Sequence, residues 1–332
     1  HAVQPVSGVS AVRNLTQNFY EGARLNHMNR LEKYAGIFPA FYACYDDEGN
    51  VSPERIRTYA RALAGKGVQG LYVGGSSGEC IYLSVEERKR TLESVMDAVG
   101  GKLRIIAHVA CNNTRDSMEL AAHAEANGVD AIAAIPPIYF RLPPHAICEY
   151  WNDISSAAPS TDFIIYNIPQ LAGVSLTLPM LAEMKKNARL AGVKNSSPSA
   201  QDIQQFRDAG GADFVVFNGP DEQLLSGLAA GATGGIGGTY GVMPELYLLI
   251  WDLFSKGEME RARQAQNEAC RIIYTLLSAK GNIYAVMKAI LEKRGMPIGG
   301  ARKPLPKIAP EDEMIVERCL EMIRTATGES AV

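Results

Sequence analysis

Lys194 ends the apolar run 190–193 and is followed by Asn195, Ser196 and Ser197. Leucine, alanine, glycine and valine in a row have the length and character of a buried strand. A lysine leaving such a strand into a cleft is partly desolvated. Desolvation disfavours the ammonium form, so a nucleophilic amine becomes available near neutral pH, and its natural chemistry is Schiff-base formation with a carbonyl compound. Alone, the residue also fits a lysine that snorkels from a strand end to water. Four other stretches carry chemistry. Residues 74–79 read Gly-Gly-Ser-Ser-Gly-Glu; small residues there let amides and the Ser76 and Ser77 hydroxyls cradle an anion, or simply make a turn. Tyr166, in Tyr166-Asn167-Ile168-Pro169, has the phenol of a proton shuttle or of a satisfied core tyrosine. Asp221 and Glu222, after Asn218-Gly219-Pro220, offer two carboxylates to a ligand or to the N-terminus of the next helix. Gly234 to Gly238 contains four glycines around Ile236, which calls for a close backbone approach.

Each of these stretches follows or ends an apolar run of strand length. Eight such runs occur, at 36–44, 68–74, 103–109, 130–136, 162–168, 190–194, 213–217 and 233–237. Amphipathic helical patterns lie between them, among them 52–66, 84–99, 114–127 and 200–209. Ser52 precedes Pro53, and Ser84 is followed by Glu87, both signatures of a helix start. Strands that are apolar throughout indicate a parallel sheet covered by helices. Eight βα units predict a (β/α)8 barrel, with a doubly wound sheet as the alternative. In a barrel, chemistry gathers at the C-terminal strand ends. The lysine, the tyrosine, the serine loop and the carboxylates would then share one mouth.

Residues 28–240 are therefore assigned to the barrel. Residues 241–332 are assigned to the closing helix and a C-terminal helical extension, from helical patterns at 244–256, 259–278, 283–294 and 310–327. Residues 1–27 have weak periodicity and read as a tag or leader outside the fold, with His27-Met28 resembling a junction before a start codon. They show neither a basic region nor an apolar core of signal-peptide length.

The 332 residues carry a net charge of −3, and the mean hydropathy is −0.06. No basic patch suggests nucleic acid, and no run approaches the ~20 apolar residues of a membrane span. Six cysteines are scattered without a CxxC pair, which suits reduced thiols in the cytoplasm. Outside the leader the histidines are His108, His123 and His145, without metal-ligand spacing. Neither a metal nor another cofactor is expected.

The segments GGSSGE, YNIP, GVKNSS, FNGPDE and GGIGGTYG, in this order and spacing, resemble the dihydrodipicolinate synthase / N-acetylneuraminate lyase family of class I aldolases over essentially all of the chain from Met28. The resemblance implies a homotetrameric barrel enzyme that forms a Schiff base between Lys194 and pyruvate or a pyruvate-derived keto acid. It implies that Tyr166 shuttles protons and that Ser76 and Ser77 hold the keto-acid carboxylate. Tyr139 matches a tyrosine that in relatives reaches toward a neighbouring subunit's site.

The lyase branch is the better match. Synthases usually have arginine where this chain has Leu171, and leucine cannot bind an aldehyde substrate's carboxylate. Gly219, Asp221 and Glu222 match the pattern that holds a sugar's polyol chain. Ser196 stands where lyases usually have threonine, which keeps the hydroxyl, and Gly238 where many have a serine at the sugar's far end. The implied reaction is reversible cleavage of N-acetylneuraminate to N-acetylmannosamine and pyruvate, with these small molecules as the only expected partners besides copies of the chain. The alternatives are dihydrodipicolinate synthase or another 2-keto acid aldolase or hydratase, and a catalytically silent sugar-acid-binding barrel.

Overall fold

The computed structural model describes residues 29–329. The leader assignment at 1–27 falls outside the described residues. Eight parallel strands run β1 (Gly36–Pro39), β2 (Gly70–Val73), β3 (Arg104–His108), β4 (Ala131–Ala134), β5 (Asp162–Asn167), β6 (Leu190–Asn195), β7 (Val215–Asn218) and β8 (Gly234–Gly237). From β2 to β8 each pairs with the next along the chain. β1 pairs with β8 and also meets β2, through a bridge between Ala40 and Tyr72. The Gln69 amide donates to the Ile37 carbonyl (3.1 Å), and the Gln69 side-chain oxygen accepts from the Ile37 amide (2.7 Å). The sheet thus has no free edge, which excludes the doubly wound alternative.

Alternation along each strand explains why both faces are apolar. Phe38, Tyr72, Ile106, Ile164, Val215, Phe217 and Ile236 fill the barrel interior with Tyr166. Ile37, Leu71, Ile105, Ile132, Ile165, Val193 and Val216 face the surrounding helices. The short helix Arg30–Lys33 leads to Tyr34, which plugs the bottom of the barrel; its hydroxyl lies 2.8 Å from both Asp162 Oδ2 and the Asp130 carbonyl.

The expected helix starts are present. Ser52 caps Pro53–Gly65, and Ser84 with Glu87 forms a capping box on Val85–Val99. The first strand is shorter than its apolar run. Phe41, Tyr42, Ala43, Cys44 and Tyr45 leave the sheet yet stay buried, so burial there does not imply strand. Helices Pro144–Ser156 and Leu224–Ala229 have no side-chain cap, and the first starts on a proline alone.

After β8 come Pro244–Ser255, Met259–Leu276, Ile283–Lys293 and Glu313–Thr327, the expected C-terminal extension. The pattern at 310–327 divides at Asp312, whose carboxylate accepts the Lys280, Gly281 and Ala309 amides. Among the described residues no helix is long and apolar enough to cross a membrane.

Candidate active site

Strand register brings the candidate residues together. Tyr166 on β5 lies beside Lys194 on β6, and Lys194 beside Phe217 on β7. The next layer is Asn167, Asn195 and Asn218, all buried. These asparagines end the strands and pin the loops that follow. Asn167 donates to Asn195 Oδ1 (2.7 Å) and accepts the Leu176 amide (2.9 Å). Asn195 donates to Ser197 Oγ (3.1 Å), and Asn218 to the Pro220 carbonyl (2.7 Å).

Lys194 is 4% exposed. Its Nζ sits 4.0 Å from the Tyr166 ring centroid and 4.2 Å from that of Tyr72. Burial lowers its pKa to about 7, against the opposing pull of Asp221. The snorkelling alternative is excluded, since the amine stays inside. Burial also pushes Tyr166 up to about 12, while the Ser196 and Ser76 hydroxyls beside it act the other way. At neutral pH the site therefore holds a substantial fraction of free amine next to a protonated phenol.

His108 braces this pair from below. Its Nδ1 lies 2.9 Å from the Gly74 carbonyl, and its Nε2 accepts the Ile135 amide (3.3 Å). The carbonyl requires a donor and the amide an acceptor, so the ring is neutral with its proton on Nδ1. Burial agrees, lowering the imidazole pKa to about 3. The ring meets Tyr166 edge to face at 6.0 Å.

Ser77 is buried and Ser76 half-buried at the mouth. A Cβ built on Gly238 would lie 3.2 Å from Ser77 Oγ, and 4.0 Å from both Asp221 Oδ2 and the Tyr284 ring. Gly238 therefore sits among the serine loop, the carboxylate and an unforeseen tyrosine from the C-terminal extension. Asp221 accepts from both the amide and hydroxyl of Thr239 (2.6 Å each). Burial raises its pKa to about 6, those hydrogen bonds opposing the rise. Gly219 packs against Ser196, where any Cβ would fall on the serine hydroxyl.

Glu222 and Tyr139 are the two exposed residues of the expected set. Glu222 is exposed at the rim, and its carbonyl accepts from Cys270 (3.4 Å). Tyr139 is 89% exposed, with its backbone at φ 84°. Glu79 is structural: it meets Lys288, Tyr45 and the Arg302 amide. Sequence reasoning misses His108, Tyr72, Tyr284 and Lys288. The first two look like ordinary strand residues, and the last two sit in a helix far along the chain.

The fold and the mouth define a class: a (β/α)8 barrel with a buried, deprotonatable lysine beside a tyrosine at adjacent strand ends. Residues 33–323 match the dihydrodipicolinate synthetase family, and the chain belongs to it. An N-acetylneuraminate lyase from Mediterraneibacter gnavus is 59% identical over 301 residues, 90% of this chain and 96% of that protein. One from Salmonella agona is 34% identical over 279 residues, 84% of this chain and 92% of the other. The solved wild-type sialic acid aldolase of Ruminococcus gnavus superposes with a TM-score of 0.89 at 58% identity, covering 90% of this chain and 99% of that one.

Proposed function

We propose that the protein is a class I aldolase that cleaves N-acetylneuraminate reversibly to N-acetylmannosamine and pyruvate. The observation that carries the mechanism is the buried Lys194 amine, lowered to about 7 and set 4.0 Å from the Tyr166 ring. The substrate rests on the similarity to the N-acetylneuraminate lyases and on Asp221, a carboxylate suited to accept sugar hydroxyls. Exposed Leu171 leaves no cation where a synthase would need one.

The Lys194 amine adds to C2 of the open-chain keto acid, and the carbonyl oxygen departs as water. Ser76 and Ser77 hold the carboxylate and so align the carbonyl with the amine. The resulting iminium accepts the electron pair of the C3–C4 bond. Tyr166, with the substrate carboxylate, takes the C4 hydroxyl proton, and C4 becomes the aldehyde of N-acetylmannosamine. Tyr166 is protonated at rest, and the iminium charge beside its ring favours the phenolate at the moment a base is needed. Protonation of the enamine at C3 and hydrolysis release pyruvate and restore the amine. Asp221, Ser196 and the backbone at Gly219 and Gly238 face the sugar chain, with Glu222 at its outer end.

The active form is a cytoplasmic homotetramer. Tyr139, an aromatic in left-handed backbone and 89% exposed, supports this reading as the residue that would reach a neighbouring copy. The assigned cytoplasmic location accords with six free cysteines.

Borohydride reduction followed by mass spectrometry tests the chemistry. Incubation with pyruvate, and separately with N-acetylneuraminate, gives the same pyruvate-sized adduct on Lys194. An adduct from pyruvate alone sinks the sialic acid assignment. No adduct from either sinks the Schiff base and leaves a silent barrel. Light scattering tests the tetramer.

A further inference from the structure

Lys288 and Glu79 form an ion pair that is almost wholly enclosed. Lys288 Nζ donates to Glu79 Oε1 at 2.7 Å, with side-chain exposures of 1% and 0%. Both members have further hydrogen-bond partners. Glu79 Oε2 accepts from the Tyr45 hydroxyl (3.0 Å) and the Arg302 amide (2.9 Å), and Lys288 also donates to the Gly300 carbonyl (2.9 Å). Stability alone does not account for such a pair, because two charges brought out of water gain little over well-packed apolar side chains of equal volume. What a buried pair with several hydrogen-bond partners supplies is fixed direction.

The direction it fixes belongs to the turn 74–79. Glu79 ends that turn with φ 53°, and among the described residues it shares a positive φ only with glycines and Tyr139. A left-handed glutamate needs its surroundings to hold it there. Two residues earlier stands Ser77, and three earlier Ser76. Lys288 lies on helix Ile283–Lys293, outside the barrel. Tyr284, four residues before it and so on the same helix face, reaches Gly238 beside Ser77. From the next turn Met287 meets Tyr42, whose hydroxyl donates to the Gly238 carbonyl (2.5 Å). Arg302, in the segment after this helix, donates to both oxygens of Glu87 and to the Tyr82 carbonyl just beyond the turn.

We propose that Lys288 is a positioning residue for the substrate carboxylate: through Glu79 it holds the turn so that the Ser76 and Ser77 hydroxyls face the bound keto acid. This rests on the reading that those serines bind the carboxylate and that Lys194 forms the Schiff base. The C-terminal extension is then part of the catalytic apparatus, because it sets a barrel loop from outside the barrel.

The test compares pyruvate with methyl pyruvate, which keeps the ketone and masks the carboxylate as an ester. The Lys194 amine adds to the ketone, water leaves with the carbonyl oxygen, and borohydride supplies the hydride that converts the iminium to a stable secondary amine. The trapping rate is measured at low keto-compound concentration for wild type, Lys288→Met and Glu79→Gln. Glu79→Gln keeps shape and removes only the charge, so it serves should Lys288→Met fail to fold. Wild type traps pyruvate faster than its ester. In either folded variant the pyruvate rate falls about tenfold or more, the ester rate stays within about twofold, and the preference collapses. A folded variant that keeps the preference overturns the proposal. So does equal loss with both compounds, which assigns the pair to barrel stability. Wild type that traps neither compound fails the Schiff-base reading itself, an outcome distinct from both.

Discussion

Lys194 Nζ sits 4.0 Å above the centre of the Tyr166 ring, and the two residues are direct neighbours across β5 and β6. One lysine rotamer thus sets the amine against the phenol ring, and in the proposed mechanism the two act on one substrate as nucleophile and proton shuttle. The cost is burial of an amine, and burial is what makes it nucleophilic at neutral pH.

The pH dependence of kcat/KM follows. Free amine appears as pH rises through about 7, so activity on N-acetylneuraminate rises through that value. Asp221 takes up a proton near 6 and becomes a weaker acceptor for the sugar hydroxyls, which steepens the loss below that pH. Tyr166 titrates near 12 and adds no limb in the working range. A pH–rate profile flat between about 5 and 8 would contradict the assignment of a lowered lysine.

Asp221→Asn separates the two groups. The Asp221 charge raises the Lys194 pKa; without it the amine loses its proton more readily. The acid limb of kcat/KM moves to lower pH and loses its steep portion. The asparagine still offers an acceptor but a weaker one, so KM for the sugar acid rises roughly tenfold, the loss of a charge-assisted hydrogen bond. Steady-state kinetics at several pH values read both effects. An acid limb that stays at about 7 would rule out the coupling.

Lys194→Met abolishes turnover and stabilises the fold. The folded pKa of the lysine lies below the ordinary 10.5, so the unfolded chain holds the proton more tightly. Below about pH 7 folding must bury an ammonium or expel its proton, and the penalty is complete. Between 7 and 10.5 the folded amine is already neutral while the unfolded lysine keeps its proton. Folding there still expels a proton, at a cost that shrinks as pH rises and vanishes above the unfolded value. The variant should exceed wild type by a few kcal/mol at about pH 6, since every tenfold difference in proton affinity between the two states is worth about 1.4 kcal/mol. The gap narrows toward about pH 10. Urea unfolding at the two pH values measures it, and equal stability at the lower one would refute the buried-amine account.

The barrel was legible because eight apolar runs with helical patterns between them leave few architectures, and Ser52, Ser84 and Glu87 mark their helix starts in local sequence. Lys194 and Tyr166 were legible because each stands at the end of an apolar run. Lys288 was not: in helix Ile283–Lys293 a lysine reads as a solvated face, and its partner Glu79 stands 209 residues earlier. His108 was hidden likewise, since its role depends on Gly74 and Ile135 from two other strand ends. Residues whose work depends on a distant partner leave no periodic trace.

Gly219 and Gly238 stand at neighbouring strand ends yet should respond oppositely to alanine. At Gly219 a Cβ would land on Ser196 Oγ, with the Asn195 carbonyl 2.8 Å away. Strand-end backbone has little room to give, so Gly219→Ala displaces Ser196, which faces the Tyr166 phenol. Overpacking of this kind costs about 1–3 kcal/mol and lowers kcat as well as stability. At Gly238 the nearest atom is a serine hydroxyl at 3.2 Å, a side-chain end that can turn aside. Gly238→Ala keeps the fold within about 0.5 kcal/mol, and Gly238→Ser adds a hydroxyl between Ser77 and Asp221, where the sugar's far end would lie. The serine variant should shift the ratio of kcat/KM between N-acetylneuraminate and a shortened sugar acid. Thermal unfolding and the two-substrate ratio together decide the matter. A stable, fully active Gly219→Ala would show that the mouth yields where its packing says it cannot.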